Sequence, residues 1–167
     1  MQKAVVARIM ADSNAVGLRI ASYNLYGLKS GRTMLYDLCN DARVAVVAVQ
    51  ERWLTPNNLN LLNEVNPDFA GFGISAMNNK LKSQIYCGRP YGGVGFLWRR
   101  SLASCVRIIG DVGEGRCLAM SFNLPAGALT VKRINVYFPA IIVAYNIRLT
   151  LETVLASYNI LLVLVMI

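Results

Sequence analysis

"VVAVQERWL", residues 46–54, is the stretch on which the fold turns. Four β-favouring apolar residues run straight into Gln50, Glu51, Arg52 and Trp53. With its N-terminal neighbours it reads "ARVAVVAVQE", almost without polar alternation. Such a run suits a strand buried on both faces rather than a half-solvated surface strand. A carboxylate directly after it is held by the sheet yet open to solvent. Glu51 is therefore either a solvated strand end or an acid placed to meet something positive.

Upstream, "GLRIASYNLYGLKSG" predicts a strand near residues 18–24 entering a loop with Gly27 and Gly31. "GRTMLYDLCND" spaces Met34, Leu35, Leu38 and Cys39 as one face of a helix. Downstream, "LTPNNLNLLNEVNP" offers Thr55 as an N-cap, Pro56 at the first helical position and Pro67 past the end. "DFAGFGISAM" predicts a short strand, and residues 77–92 a long polar loop. "GRPYGG" lacks the Walker lysine pattern and a following helix, and so reads as a turn before a strand. "GGVGFLWRR", "LASCVRIIGDV", "GRCLAMSFNL" and "ALTVKRINVYFP" predict a meander of four antiparallel strands. After Pro139, "AYNIRLTLETVLASYN" can form an amphipathic helix, and "ILLVLVMI" a buried core strand. The expected class is a mixed α/β domain with helices on the outer face of a sheet.

At 167 residues the chain is expected to hold one domain. It is 55% hydrophobic and 16% charged, which argues against general disorder. Its mean hydropathy of +0.42 is raised mostly by the C-terminal end. Lysine and arginine total 17 against 9 acidic residues, a net charge of +8 that suits a polyanion such as nucleic acid, or an anionic membrane surface. The terminal apolar run of eight residues falls well short of the ~20 that a spanning helix needs, so a membrane partner is not expected. Lys3, Arg8 and Asp12 interrupt the N-terminus, which does not read as a secretory signal. Cys39, Cys87, Cys105 and Cys117 form no CxxC and read as reduced, mostly buried thiols. There is no histidine in the chain, which excludes Ser-His-Asp, Cys-His and every other mechanism with a histidine base from these residues.

Three stretches in order carry a resemblance. "ASYNLYGL" puts Asn24 at the end of the first strand, "VVAVQERWL" puts Glu51 at the end of the second, and "GRPYGGVGFLWRRSL" with "INVYFP" completes the series with Tyr137. Over roughly residues 18–139 the chain resembles the endonuclease/exonuclease/phosphatase superfamily. Within it, the chain is most similar to the endonuclease domains of non-LTR retrotransposons. The resemblance implies a four-layer α/β sandwich of two facing sheets, each covered by helices. It implies cleavage of phosphodiester or phosphomonoester bonds with magnesium, and DNA as partner, in a nuclear setting. Glu51 matches the family's metal-binding Glu, Asn24 the Asn that holds the phosphate and metal environment, and Tyr137 the Tyr of the "YxP" segment that contacts the phosphate region. The chemistry is consistent, because magnesium takes hard oxygen ligands, often only one or two carboxylates, and keeps several waters.

The chain departs from the family in its second half. The GD-F-N segment, whose Asp activates water and whose Asn holds phosphate, is not found here, and neither is the S-D-H segment. Residues 1–17 are expected as an N-terminal lead and residues 140–167 as a helix plus an apolar strand. That last stretch is either the family strand that leads into GD-F-N, or unrelated sequence from a frameshift or joined exon, which Ala140 favours where the family commonly has Cys. The expected domain is thus a partial sandwich with the second sheet largely missing and the inner face of the first exposed. The expected function is a remnant of a magnesium-dependent DNA endonuclease, inactive as this chain stands. The alternatives are a non-catalytic basic nucleic-acid-binding fragment and a tail-anchored product. Arg99 and Arg100 read as a charged strand end rather than phosphate contacts, and Trp53 and Trp98 as packing rather than base-stacking residues.

Overall fold

The computed structural model describes residues 5–9, 18–77, 88–111, 116–123, 130–137 and 160–165. Nine strands form two sheets among them. The first sheet has the order β1-β2-β3-β5-β4 and the second β6-β7-β8-β9. The strands are β1 (Val5–Ile9), β2 (Leu18–Asn24), β3 (Val46–Gln50), β4 (Phe69–Ile74), β5 (Val94–Arg99), β6 (Val106–Asp111), β7 (Cys117–Asn123), β8 (Thr130–Tyr137) and β9 (Ile160–Val165).

The continuous apolar run does make a central strand. All five residues of β3 are buried, with β2 parallel on one side and β5 antiparallel on the other. Alternate residues face two different cores. Val47 and Val49 join Leu28, Leu35, Cys39, Leu62 and Phe69 on the helical face, while Val46 and Ala48 join Ile20, Val94, Phe96 and Trp98 on the face toward the second sheet.

Helix α1 (Leu28–Asn40) crosses from β2 to β3. It buries Leu28, Gly31, Leu35 and Cys39, while Met34, expected on the buried face, is exposed. Spacings of three and four starting from Leu28 set the buried stripe, and Met34 falls off it. Pro56–Glu64 forms a 3-10 helix with Pro56 at its start and Thr55 before it, although Thr55 makes no side-chain cap bond. It lies tight on β4. A Cβ added to Gly71 would sit 2.8 Å from Leu62 Cβ, so only glycine permits that approach.

Two expectations are corrected here. β5 does not join the meander; it inserts between β3 and β4, and a second 3-10 helix (Arg100–Cys105) then carries the chain to the other sheet. The burial patterns explain it: five successive residues of β5 are buried, as a central strand requires, whereas β6 alternates between half-buried and exposed. The second sheet is also fuller than expected, with four strands. β6, β7 and β8 are antiparallel neighbours, and β9 pairs parallel with β8. Leu118, Met120 and Phe122 of β7 pack on Ile20, Val46, Phe96 and Trp98, so the inner face of the first sheet is covered rather than exposed. Full burial of such side chains contributes roughly 1.5–3 kcal/mol each.

β1 lies inside the stretch expected as a lead, pairing antiparallel with β2 from Val5↔Ser22 to Ile9↔Leu18. The terminal apolar run supplies β9 as a strand, and the helix expected after Pro139 lies outside the described residues. Cys39, Cys105 and Cys117 are free thiols; Cys39 is buried and the other two are half-buried. Among the described residues no helix is long and apolar enough to cross a membrane.

Candidate functional site

Parallel pairing sets Asn24 of β2 opposite Gln50 of β3. The pairing continues past both strand ends. Leu25 N donates to Gln50 O at 2.9 Å, Gly27 N to Glu51 O at 2.7 Å, and Leu28 N to Arg52 O at 2.8 Å. The two following loops are thereby laced together. β4 and β3 are both antiparallel to β5, so the end of β4 and the start of β5 lie at this same edge. Trp53 N donates to Gly92 O at 3.1 Å, drawing in the segment before β5.

Asn24 is 5% exposed. Its Oδ1 accepts from Tyr26 N at 3.0 Å, an Asx-turn that shapes the first loop. Its Nδ2 is buried and has no partner among the described residues. A buried donor left without an acceptor costs about 1–3 kcal/mol. Behind it, Gln50 Nε2 donates to Ser22 Oγ at 3.2 Å.

Glu51 is half-exposed, and no described donor or cation engages its carboxylate. Its φ is +50°, with Tyr26 at +52° and Trp53 at +53°. These are the non-glycine residues at positive φ among the described residues, and all three lie in the two laced loops. Left-handed backbone at such residues costs on the order of 1 kcal/mol or more each, and persists only where the surroundings enforce it. Here the inter-loop hydrogen bonds do so. Clustered backbone strain is a mark of functional sites.

Sequence reasoning assigned Trp53 to packing, and the structure gives it a more specific place. Its indole is half-exposed, the Tyr26 ring lies 5.6 Å away at a 59° tilt, and the Arg89 guanidinium stands 4.3 Å from the ring centroid. Tyr26 was not singled out at all. The available signal was an aromatic two residues after the strand-end Asn. Trp98, by contrast, is core as expected.

Arg52 points the opposite way from Glu51. It is fully buried, with Nη2 donating to Ile74 O and with Nε and Nη1 without partners among the described residues. It lies against Gly73, Gly93 and Gly95, and burial pushes its pKa down to about 9.

Arg99 and Arg100 sit at the other end of β5, away from this edge. Arg99 donates to Val44 O at 2.9 Å and to Cys39 O and Asp41 O at 3.3 and 2.9 Å, tying down the end of α1. Arg100 Nε donates to Pro67 O at 2.9 Å. Both are structural, as the sequence suggested. Tyr137 closes β8 in the second sheet, and its side chain lies outside what the structure describes.

No cluster of three or more His, Cys, Asp or Glu that could hold a metal ion occurs among the described residues. A magnesium ion needs less, since one carboxylate and several waters suffice. Glu51 fits as that single hard-oxygen ligand. A site that closes on protein ligands alone is not what these residues make.

No family model matches the chain, and no curated protein does. Solved structures do. An AP endonuclease, LMAP from Leishmania major, superposes with a TM-score of 0.54 at 14% identity over 73% of this chain. The catalytic domain of human Nocturnin does so with a TM-score of 0.50 at 9% identity over 87% of it. The endonuclease domain of TRAS1, a telomere-specific non-LTR retrotransposon, reaches 0.48 at 12% identity over 85%, a score too low to separate one branch from another. The chain spans 40% of the Leishmania protein and 61% of the Nocturnin domain. The likeness is one of fold: the chain shares the two-sheet α/β architecture of the Leishmania AP endonuclease and of the Nocturnin domain.

Proposed function

We propose that these residues form the Glu51 half of a phosphodiesterase site of the retrotransposon-endonuclease kind, with DNA as substrate and a divalent ion, magnesium by preference, as cofactor. The observation that carries the reading is the lacing of the two loops after β2 and β3, which sets Asn24 and Glu51 side by side at one sheet edge. The fold shared with an AP endonuclease supports it, as does the net charge of +8, which suits a polyanion.

Glu51 would hold the ion, which when bound neutralises charge building on the phosphate. Asn24 Nδ2, a buried donor without a partner, would donate to a phosphate oxygen. Tyr137 is assigned to the phosphate region through its place in the "YxP" segment. These 167 residues hold no histidine and no GD-F-N segment, so the groups that activate water and polarise phosphate are not among them. Their lack costs several orders of magnitude in rate. By itself the chain therefore binds DNA and does not cut it.

The test has two arms. Manganese(II), a paramagnetic substitute for magnesium, should broaden amide NMR signals of residues 24–27 and 50–53, and Glu51→Gln should abolish the effect. Broadening indifferent to that substitution would remove Glu51 from the site. Supercoiled plasmid with magnesium should be retained, with affinity falling as salt rises, and not nicked. Nicking that disappears in Glu51→Ala would overturn the inactivity.

A further inference from the structure

We propose that Tyr26 and Trp53 form a shelf on which an unpaired nucleobase stacks, beside the phosphate that Asn24 and an ion on Glu51 would hold. The proposal rests on the reading of that edge as a nucleic-acid site, and it adds what the site grips besides phosphate.

Four observations carry it. Tyr26 is 55% exposed, although it follows a strand in which Ile20 and Ala21 are buried and Tyr23 is half-buried. Its backbone is left-handed at φ +52° and held there by the Asx-turn to Asn24, so the strain presents the ring rather than buries it. Trp53, also left-handed, braces it, with the two rings 5.6 Å apart and tilted by 59° rather than stacked flat on each other. Arg89 stands over the indole and adds a cation next to where a backbone phosphate would run.

An exposed, braced aromatic beside a guanidinium and a phosphate-facing amide is the combination that single-stranded nucleic acid uses: the base stacks on the ring while the charges follow the backbone. A base inside a duplex is already stacked on both faces, so the occupant is unpaired, at a frayed, flipped or single-stranded position. The ring offers a face and no base-edge hydrogen-bond code, so the shelf takes any base.

The test uses the full chain and a short single-stranded oligonucleotide carrying 2-aminopurine at one position. Binding should quench its fluorescence by stacking. Tyr26→Ala should abolish the quench and weaken binding by about tenfold to a hundredfold, and Tyr26→Phe should keep both. An oligonucleotide abasic at that position should bind wild type and Tyr26→Ala alike. Alanine at this φ bears backbone strain comparable to that of tyrosine, and an unchanged melting temperature would show that the fold is intact. Equal quenching in wild type and Tyr26→Ala, or an abasic strand bound as tightly as the intact one by wild type, would overturn the shelf. Manganese broadening at Glu51 in the same Tyr26→Ala protein separates the two ideas. Retained broadening with a lost quench supports the shelf and leaves the metal reading standing, while a quench present in wild type and lost in Tyr26→Ala, with no broadening in either protein, would sink the metal reading alone.

Discussion

Gly27 lies so close to the Trp53 indole that a Cβ added to it would fall 2.5 Å from Cε3, at a backbone φ of +92°. Two independent costs thus meet at one residue, a left-handed backbone and a collision with a large rigid ring. Gly27→Ala should lower stability by about 2–4 kcal/mol in urea denaturation, more than strain alone, which is on the order of 1 kcal/mol. Gly110 is the internal control. It also has positive φ, +119°, but nothing lies within 4 Å of an added Cβ. Gly110→Ala should cost only the strain. Equal losses at the two sites would mean that the indole yields freely, and that the two loops are less firmly braced than their geometry indicates.

Arg52 should be a stability liability. Its guanidinium is fully buried, one nitrogen bonds Ile74 O, and two nitrogens have no partner among the described residues. No carboxylate faces it there. Replacing buried charge by an apolar side chain of similar length commonly stabilises by about 1–4 kcal/mol. Arg52→Met at neutral pH should raise the melting temperature, and Arg52→Ala should not, because it leaves a cavity under Leu62. A fall in melting temperature with Met would show that the guanidinium is better satisfied than its visible contacts suggest.

Some of this was readable from residue order and some was not. β2, β3 and β4 stand out because apolar runs bounded by turn residues leave little choice, and Asn24 and Glu51 follow as strand ends. The destination of β5 was hidden. "VGFLW" and "VRIIG" look alike as apolar runs, and only the three-dimensional cover on both faces sends the first to the central position beside β3. Tyr26 was hidden for a different reason. Its left-handed backbone lies between the local Asx-turn to Asn24 and hydrogen bonds to a loop 24 residues further on, Gly27 to Glu51 and Leu28 to Arg52, and no local propensity reports those long-range bonds. The covering of the first sheet depended likewise on β7, whose alternating Leu118, Met120 and Phe122 are visible in sequence but whose partner face is not.

The cysteines should report burial through their reactivity. Burial pushes the Cys39 thiol up to about 12, and burial with the nearby Asp111 charge pushes Cys117 up to about 11. Thiolate is the reactive form, so at pH 8 iodoacetamide should label Cys39 after Cys105 and Cys117 in the native protein, as mass spectrometry can follow. The linkage has a definite sign. The folded-state pKa of Cys39 is raised from an ordinary value of 9.0, so the folded state holds the proton more tightly. Its contribution is complete below pH 9 and fades as pH rises toward 12. Stability of wild type relative to Cys39→Ala should therefore decline from pH 9 to pH 11. A difference independent of pH would mean that the thiol is reached by water in the native state.

Asn24→Asp separates the two jobs assigned to one side chain. The carboxylate keeps an acceptor for Tyr26 N, now bonded at 3.0 Å, so the Asx-turn survives, but its second oxygen is buried without a donor and should lower the melting temperature when no metal is present. It removes the donor Nδ2, and with it the hydrogen bond offered to a phosphate oxygen. It also sets a second negative charge beside Glu51. Without metal, oligonucleotide binding should fall about tenfold or more, because a lost charge-assisted bond and a new repulsion act together. Manganese affinity should move the other way, since two carboxylates suit a divalent ion better than one. Asn24→Ala should instead lose the turn and destabilise the fold by about 1 kcal/mol, without gaining any metal affinity. Opposite shifts of metal and oligonucleotide binding in the Asp variant require Asn24 and Glu51 to share one site. If neither affinity changes in a protein that still folds, the two strand ends are neighbours in the sheet and nothing more.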